Sequence, residues 1–246
     1  MRALILAAGK GTRISRYLSG KPKCTVDIGG EELIKYTINL LQKKGVEKIG
    51  IVLGYQDKEI KEILKNYKNI EFFYNPFYDI TNSLASAWFA KSFLIEDMLI
   101  MNADVFVEEK LMEEILAIEL SPVLFSDESR KKEADYKLFY KEGVLIDYGK
   151  ELELPRITGE YIGIAKFKKE FIGPFKENLE KMIREKKYSI WWENVLYELK
   201  DQRNIYVKDI NNKFWAEVDY IEDYERILKY RKYKLNYSIK IEEIEE

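Results

Sequence analysis

The chain has 246 residues, with 41 lysines and arginines against 43 aspartates and glutamates, so its net charge is −2. This length can bury a core without disulfides, and the near-neutral charge does not favour a nucleic-acid-binding protein. The single cysteine, Cys24, excludes an internal disulfide framework and cysteine zinc sites, and the absence of histidine excludes histidine-based triads and metal ligation by imidazole. Any catalysis must therefore use carboxylates, lysines, metal ions and backbone amides.

The first hundred residues alternate predicted strands with predicted helices. Residues 3–8 form a continuous apolar run that ends at Gly9, which is typical of a strand buried on both faces. The run is too short for a signal peptide or a membrane span, so we expect a cytoplasmic protein without membrane insertion. The other elements predicted here are a helix over 32–44, a strand over 46–53, a helix over 57–67, a strand over 70–74, a helix over 82–93 and a strand over 98–101. A βαβαβ order implies a parallel sheet, and such sheets bind ligands at the carboxyl ends of their strands.

The pattern changes after Pro122 to shorter, alternating segments, which predict antiparallel strands with a hairpin turn at Glu142-Gly143. The predicted elements are strands over 123–126, 136–140, 144–148, 161–167 and 205–209, helices over 169–186 and 222–233, and two unassigned segments over 191–199 and 214–219. We therefore predict an α/β fold, with a Rossmann-like mixed, mainly parallel sheet flanked by helices and a smaller antiparallel addition. We expect one domain over 1–233, followed by an extension over 234–246 that is a frayed helix, an added strand or an oligomer contact.

A glycine-rich loop, Gly9–Arg13 (GKGTR), directly follows the first predicted strand. Glycines let a backbone fold closely around an anion and point successive amide groups at it, and Arg13 adds positive charge. A plain tight turn would show the same glycines, but Lys21–Lys23 (KPK) aims two further cations at the same end of the sheet, since Pro22 fixes the backbone. The two segments together predict a phosphate-binding site.

The segment Leu6–Arg13 (LAAGKGTR), with Pro22-Lys23 ten residues on, resembles the sugar-phosphate-type nucleotidyltransferases. The resemblance extends to Asp104 and to Trp215–Asp219 (WAEVD), and implies a nucleotide-diphospho-sugar transferase-like fold. It implies that the loop holds a nucleoside triphosphate, that Arg13 and Lys23 are catalytic, and that two aspartates hold Mg²⁺. The nucleotide-binding residues that we expect on this basis are Leu6, Ala8, Gly9, Gly11, Thr12, Arg13, Asn82, Ser83 and Asn102.

The two aspartates, Asp104 and Asp219, also suit a metal on chemical grounds. Mg²⁺ prefers hard oxygen ligands, usually one or two carboxylates together with substrate phosphates, and needs no histidine. An isolated aspartate after a strand is more often a turn or cap residue. Combined with the loop that precedes them, the pair predicts a Mg²⁺ site.

The middle of the chain narrows the subfamily. Residues 78–86 (YDITNSLAS) look like the corresponding segment of bacterial cytidylyltransferases that act on phosphocholine and similar phosphorylated alcohols, rather than the GTAxA-type segment of hexose-1-phosphate enzymes. Asn82 is our choice for reading the base edge, because an amide offers both a donor and an acceptor. Asn82 is equally suited to capping a helix, and the two roles are compatible.

The acceptor side is assigned to residues 188–194 (YSIWWEN), similar to a segment of phosphocholine cytidylyltransferases. Trp191, Trp192 and Glu193 are the components of a cage for a quaternary ammonium, although one tryptophan could instead pack in the core. Glu160 and Tyr161 match another acceptor-side segment of the family, or else form a strand edge beside a turn. An inositol phosphate would need hydroxyl partners in place of a cage.

The sequence thus predicts a monomeric or homodimeric enzyme that transfers CMP from CTP to a small phosphorylated alcohol with Mg²⁺. A phosphocholine-like compound and inositol 1-phosphate are both candidate acceptors, and the products would be a CDP-alcohol and pyrophosphate. The alternatives are a hexose-1-phosphate uridylyl- or thymidylyltransferase and a catalytically silent nucleotide-binding module. A silent module would be expected to lack one or more of Arg13, Lys23, Asp104 and Asp219, all of which are present.

Overall fold

A computed structural model describes residues 1–11, 13, 14, 18 and 20–245, with side chains as far as residue 234. Its strands are β1 (Arg2–Ala7), β2 (Lys48–Leu53), β3 (Ile70–Tyr74), β4 (Met98–Asn102), β5 (Val105–Val107), β6 (Val123–Asp127), β7 (Lys137–Lys141), β8 (Val144–Tyr148), β9 (Gly159–Phe167), β10 (Tyr206–Asp209) and β11 (Trp215–Glu217). Its α-helices are α1 (Leu33–Lys43), α2 (Asp57–Ile63), α3 (Ser83–Phe89), α4 (Glu109–Ala117), α5 (Ile172–Arg184), α6 (Asn194–Tyr197) and α7 (Ile221–Glu245).

The described strands form a large mixed sheet in the order β3-β2-β1-β4-β9-β6-β10-β8-β7. Strands β3, β2, β1 and β4 are parallel, as the βαβαβ pattern predicts. Strand β9 lies antiparallel between β4 and β6, and β8 lies antiparallel to both β10 and β7. A separate antiparallel pair, β5 with β11, is the smaller addition. The predicted fold class is confirmed.

The antiparallel half of the sheet closes on itself, because β7 pairs with the start of β9 as well as with β8. Gly159 makes this closure possible, since a Cβ atom there would lie 2.3 Å from the Ser126 hydroxyl oxygen. The predicted hairpin turn between β7 and β8 is present, with Glu142 and Gly143 both at positive φ, 50° and 73°. This closed half forms one wall of the cavity described below.

Hydrophobic clusters cover both faces of the sheet, and β1 contributes to each. Leu4 and Leu6 belong to the cluster that includes Trp192 and the side chains of α5, whereas Ala3 and Ile5 pack with α1 and α4. All four side chains are buried. The two-sided burial expected from the uninterrupted apolar run is therefore confirmed.

Helix α2, predicted over 57–67, ends at Ile63, and further elements also differ from the sequence-based expectations. The strand β5 and the helix α4 were not predicted, although α4 buries Leu111, Met112 and Ile115 at helical spacing. The helix expected over 82–93 ends at Phe89 and is followed by a 3₁₀ turn over Lys91–Phe93. Helix α7 continues through most of the segment over 234–246 that the sequence left open.

In the part of the chain that the structure describes, none of the helices combines the length and apolar character needed to cross a membrane.

Candidate active site

The glycine loop leaves the carboxyl end of β1 and lies directly against Lys23. Gly11 has a φ of +60°, and a Cβ atom there would lie 2.5 Å from Cγ of Lys23. Only glycine meets both conditions without strain. Gly9 is exposed and nothing lies within 4 Å of the position that its Cβ would take. Thr12, expected to bind the nucleotide, lies outside the described residues.

Two cations from this region meet two carboxylates from distant parts of the chain. The Lys23 ammonium lies 3.1 Å from Oδ2 of Asp104 and donates a hydrogen bond to Oδ1 of Asp219. Arg13 Nη1 donates to Oδ2 of Asp219 over 2.5 Å. The four residues that a silent module would be expected to lose therefore form one ion-paired cluster.

The charges in this cluster stabilise one another. Burial disfavours the charged form of Lys23, but the nearby Asp104 and Asp219 carboxylates outweigh it and hold the pKa of Lys23 above its usual range. Burial works against the charged form of Asp219 as well, yet Lys23 and Arg13 keep its pKa below the ordinary value. The Asp219 carboxylate in turn raises the pKa of Arg13. All three groups are thus held in their ionised forms at neutral pH.

Glu217 is a third carboxylate at the site and was not among the predicted ligands. One oxygen each of Asp104, Glu217 and Asp219 lie within 4.8 Å of one another. The pairing of β11 with β5 sets Glu217 opposite Val105, and the Val218 N–H donates to the Asp104 carbonyl over 2.9 Å. The available signal was the two-residue spacing of Glu217 and Asp219, which puts both side chains on one side of an extended chain. Three convergent oxygen donors without sulfur or imidazole suit a hard divalent cation such as Mg²⁺.

A cavity of about 430 Å³ joins this cluster to the glycine loop and to an aromatic wall. Its lining includes most of the predicted site residues, namely Leu6, Ala8, Gly9, Gly11, Arg13, Lys23, Asn82, Ser83, Asn102, Asp104, Tyr161, Trp191, Glu193 and Asp219. It also includes residues that were not among the predicted site residues, although Tyr78 and Thr81 belong to the segment that indicated the subfamily: Tyr78, Thr81, Asp135, Tyr136, Lys150 and Glu217.

Asn82 caps helix α3, as one of its two predicted roles requires, and it also lines the cavity. Its side-chain oxygen accepts the Ser83 N–H over 2.7 Å at the start of α3, and the residue lines the cavity. The preceding loop is held by Asn75, a fully buried amide whose Nδ2 donates to the hydroxyls of Thr81 and Ser86 over 3.1 and 3.0 Å. The loop therefore presents Asn82 on a fixed support.

The two adjacent tryptophans point into different surroundings, so they do not form the walls of one cage. Trp191 is 39% exposed and lines the cavity, whereas Trp192 is fully buried and does not. The Trp192 indole N–H donates to Oδ1 of Asn102 over 3.1 Å, and its backbone N–H donates to the Ser83 hydroxyl over 3.0 Å. Trp192 consequently orients two residues of the predicted nucleotide side, and the ring packs in the core.

Glu160 also lies outside the cavity lining, unlike Tyr161 next to it. Its carboxylate lies 2.8 Å from Nε of Arg130 and accepts the backbone N–H of Asp135 over 2.9 Å. These contacts fix the loop that precedes β7. Glu160 therefore supports Asp135 and Tyr136 at the cavity wall and does not itself face the cavity.

The aromatic wall encloses a buried acid. The Tyr136 ring lies edge-on to Trp191 at 5.5 Å and to Tyr161 at 6.4 Å, measured between ring centroids. Glu193 is only 4% exposed, and this burial raises its pKa to about 7. The acid can therefore change its charge near neutral pH.

We expect the Glu193→Gln variant to gain stability at alkaline pH. A folded-state pKa of about 7, above the ordinary 4.5, favours the neutral acid, so the wild type loses stability as pH rises from about 4.5 through 7. Glutamine avoids this loss, which amounts to about 3 kcal/mol. The ionisable groups that face Glu193 are Tyr136, Tyr161, Tyr197 and Glu217, and none of the tyrosines supplies a compensating positive charge.

Denaturant melts at pH 5 and pH 8.5 measure this effect, with Glu133→Gln at an exposed site as the matched control. The stability difference between variant and wild type should grow at pH 8.5 for Glu193→Gln alone. Equal differences at both pH values would contradict a neutral, buried Glu193.

The chain is similar to curated cytidylyltransferases over most of its length. The chain is 27% identical to a CTP:phosphoglutamine cytidylyltransferase of Campylobacter jejuni, over 92% of this chain and 98% of that protein. It is 24% identical to a choline-phosphate cytidylyltransferase of Streptococcus pneumoniae, over 92% and 96% of the two chains.

Two solved structures share the fold. A CTP:phosphocholine cytidylyltransferase from Streptococcus pneumoniae superimposes with a TM-score of 0.77 at 21% identity, covering 93% of this chain and 97% of that one. An inositol-1-phosphate CTP transferase from T. maritima gives a TM-score of 0.74 at 21% identity, covering 92% and 94%. At these identities the likeness establishes the nucleotide-diphospho-sugar transferase-like fold.

The family itself is established by a family model. The model for the MobA-like NTP transferase domain matches residues 3–131, which is more than half of the 246 residues and includes the glycine loop, Lys23 and Asp104. The chain therefore belongs to the MobA-like NTP transferase family and is a nucleotidyltransferase.

Proposed function

We propose that this enzyme transfers CMP from CTP to a small phosphorylated alcohol in a Mg²⁺-dependent reaction that yields a CDP-alcohol and pyrophosphate. The observation that carries the proposal is that Lys23, Arg13 and the three carboxylates meet in one cavity whose lining also includes aromatic side chains. The curated relatives support the choice of CTP, since those described above are named as cytidylyltransferases.

The chemical step is a displacement at phosphorus. An oxygen of the acceptor phosphate forms a bond to the α-phosphorus of CTP, and the bond from that phosphorus to the oxygen bridging to the β-phosphate breaks. Pyrophosphate leaves with the electron pair, and an ionised acceptor phosphate has no proton to lose. Lys23 and Arg13 stabilise the negative charge on the phosphates, because both remain cationic at neutral pH.

Asp104 and Asp219, with Glu217 beside them, are the residues that would hold Mg²⁺. The ion, when bound, supplies positive charge to the phosphate oxygens. Lys23 contacts Asp104 and Asp219, so the carboxylates that would hold the ion also hold the Lys23 ammonium. In this arrangement the carboxylates would position both the Lys23 ammonium and Mg²⁺.

The nucleoside would lie over the end of β1, where Leu6, Ala8 and Gly9 border the cavity next to Asn82 and Ser83. Asn82 reads the base edge through the amide nitrogen, because its oxygen is engaged at the helix start. Asn102, fixed by Trp192, lies on the same side. The acceptor would lie against Tyr136, Tyr161, Trp191 and Glu193.

The alternatives predict different substrates or none. A hexose-1-phosphate enzyme would use UTP or dTTP, and a silent module would bind nucleotide without turnover. The convergence of Arg13, Lys23, Asp104 and Asp219 in one cluster favours an active enzyme.

Release of pyrophosphate tests the proposal directly. We would pair each of CTP, UTP, dTTP, ATP and GTP, with Mg²⁺ and again with EDTA, against phosphocholine, phosphoethanolamine, O-phosphoserine, inositol 1-phosphate and glucose 1-phosphate. Turnover with CTP, one of the non-hexose phosphates and Mg²⁺ is the expected result. Turnover only with UTP or dTTP and glucose 1-phosphate would assign the chain to the hexose branch, and no release with any pair would favour the silent module.

A further inference from the structure

A lysine of this chain already covers the exposed tryptophan of the acceptor side. The Lys150 ammonium lies 5.1 Å from the centroid of the Trp191 ring, within range of a cation–π interaction. It is also 2.9 and 3.0 Å from the two carboxylate oxygens of Asp135. All three residues line the cavity. A quaternary ammonium that approached Trp191 would therefore meet a like charge on the ring.

The neighbouring polar groups call for hydrogen-bond donors. Among the described side chains, Oε2 of Glu193 and the hydroxyl of Tyr161 are buried without a hydrogen-bond partner, and both residues line the cavity. Leaving such a group unpaired costs about 1–3 kcal/mol. A trimethylammonium group has no N–H to offer, whereas a primary ammonium has three. Glu193 and Tyr161 are thus suited to a cation that carries N–H groups.

Lys150 can serve an anion at the same time. A lysine ammonium has three donors, and the two carboxylate oxygens of Asp135 accept from two of them, so one donor of Lys150 remains for a ligand carboxylate. The Lys150–Asp135 ion pair is fixed at Asp135, because the Asp135 N–H donates to the buried carboxylate of Glu160. The Glu193 carboxyl group and the Lys150 ammonium group together complement the ammonium and the carboxylate of a zwitterion.

We propose that the acceptor is a phosphorylated zwitterion with the character of an amino acid, whose ammonium group binds Glu193 and Tyr161 and whose carboxylate binds Lys150. This inference rests on the proposed cytidylyl transfer and names its substrate class. Lys150 is then the residue that selects for a carboxylate.

Three acceptors differ by one group each and test the inference with CTP and Mg²⁺. O-phosphoserine carries both the ammonium and the carboxylate, phosphoethanolamine lacks the carboxylate, and phosphocholine also replaces the N–H groups with methyls. We expect kcat/KM to be at least about 10-fold higher for O-phosphoserine than for phosphoethanolamine, the effect of one charged hydrogen bond, with phosphocholine lowest.

Substitutions of Lys150 separate selection from general damage. Lys150→Met should lower kcat/KM for O-phosphoserine by at least about 10-fold and change that for phosphoethanolamine by less than about 3-fold, and Lys150→Arg should restore much of the loss. The matched control is Lys132→Met. Lys132 is an exposed lysine of the neighbouring loop and lies outside the cavity lining, so this substitution should leave all three values unchanged.

Each other outcome overturns a distinct statement. A preference for phosphocholine or inositol 1-phosphate, or an equal effect of Lys150→Met on all three acceptors, would overturn the zwitterion while leaving cytidylyl transfer in place. Absence of pyrophosphate release with every nucleotide and acceptor would overturn the proposed function itself, and the inference with it.

Discussion

Replacement of Asp219 with alanine should lower the rate of pyrophosphate release by at least about 10³-fold, and replacement of Asp104 should have a similar effect. Each carboxylate contacts Lys23 and offers an oxygen to the proposed Mg²⁺ site, so its loss weakens both the placement of Lys23 and the binding of the metal. Stabilisation of transition-state charge by a metal contributes several kcal/mol, and each 1.36 kcal/mol is tenfold in rate. The fold should persist, because the site lies at the ends of strands and not within the core.

Steady-state turnover at several Mg²⁺ concentrations measures this effect, with thermal melts to verify folding. Asp219→Asn, which keeps the shape and removes the charge, distinguishes charge from packing. Asp201→Asn, at an exposed position, is the matched control. Near-normal turnover in both the Asp104 and Asp219 variants would remove these residues from the metal site.

Replacement of Gly11 with valine should abolish CTP binding. The residue has a φ of +60°, and its first added carbon would lie 2.5 Å from Cγ and 2.9 Å from Cε of Lys23. Valine adds two further methyl groups, and a left-handed backbone conformation costs a non-glycine residue about 1–2 kcal/mol. Relief of the clash must move either the glycine loop or the Lys23 chain, and both belong to the proposed phosphate site.

Isothermal titration with CTP measures the loss. Gly173→Val is the matched control, since nothing lies within 4 Å of the Cβ position at that glycine and it lies outside the cavity lining. A thermal melt of Gly11→Val separates a local defect from unfolding, and Gly11→Ala provides a milder step. CTP affinity unchanged in a folded Gly11→Val protein would place the triphosphate elsewhere.

The parallel half of the fold and the proposed phosphate end of the site follow from local sequence. An uninterrupted apolar run signals a strand buried on both faces, and the glycines and the KPK segment after it have few other uses in combination. Asp104 follows the predicted strand over 98–101, where open α/β sheets place ligands. These features depend on residues that are neighbours in the chain, which makes them visible without the structure.

The third carboxylate and the aromatic wall depend on long-range contacts. Glu217 reaches the aspartates only because β11 pairs with β5, and the short strand β5 carries too little pattern to be recognised. Trp192 packs in the core and Trp191 faces the cavity, and two identical neighbours in the sequence do not show which of them does which. Glu160 likewise became a support because Arg130 and the Asp135 amide fold onto it.

By itself, the sequence determined the fold class and the nucleotidyltransferase family and predicted the residues proposed to bind phosphate, because periodicity, glycines and charge act over a few positions. Only the tertiary structure decided which carboxylates converge and which of the two tryptophans lines the cavity. It also decided that Lys150, from the turn after β8, lies on the exposed ring. Those arrangements bring together side chains from the end of β4, the turn after β8, the segment before α6 and strand β11, so they belong to the packing of distant segments and to no single stretch of chain.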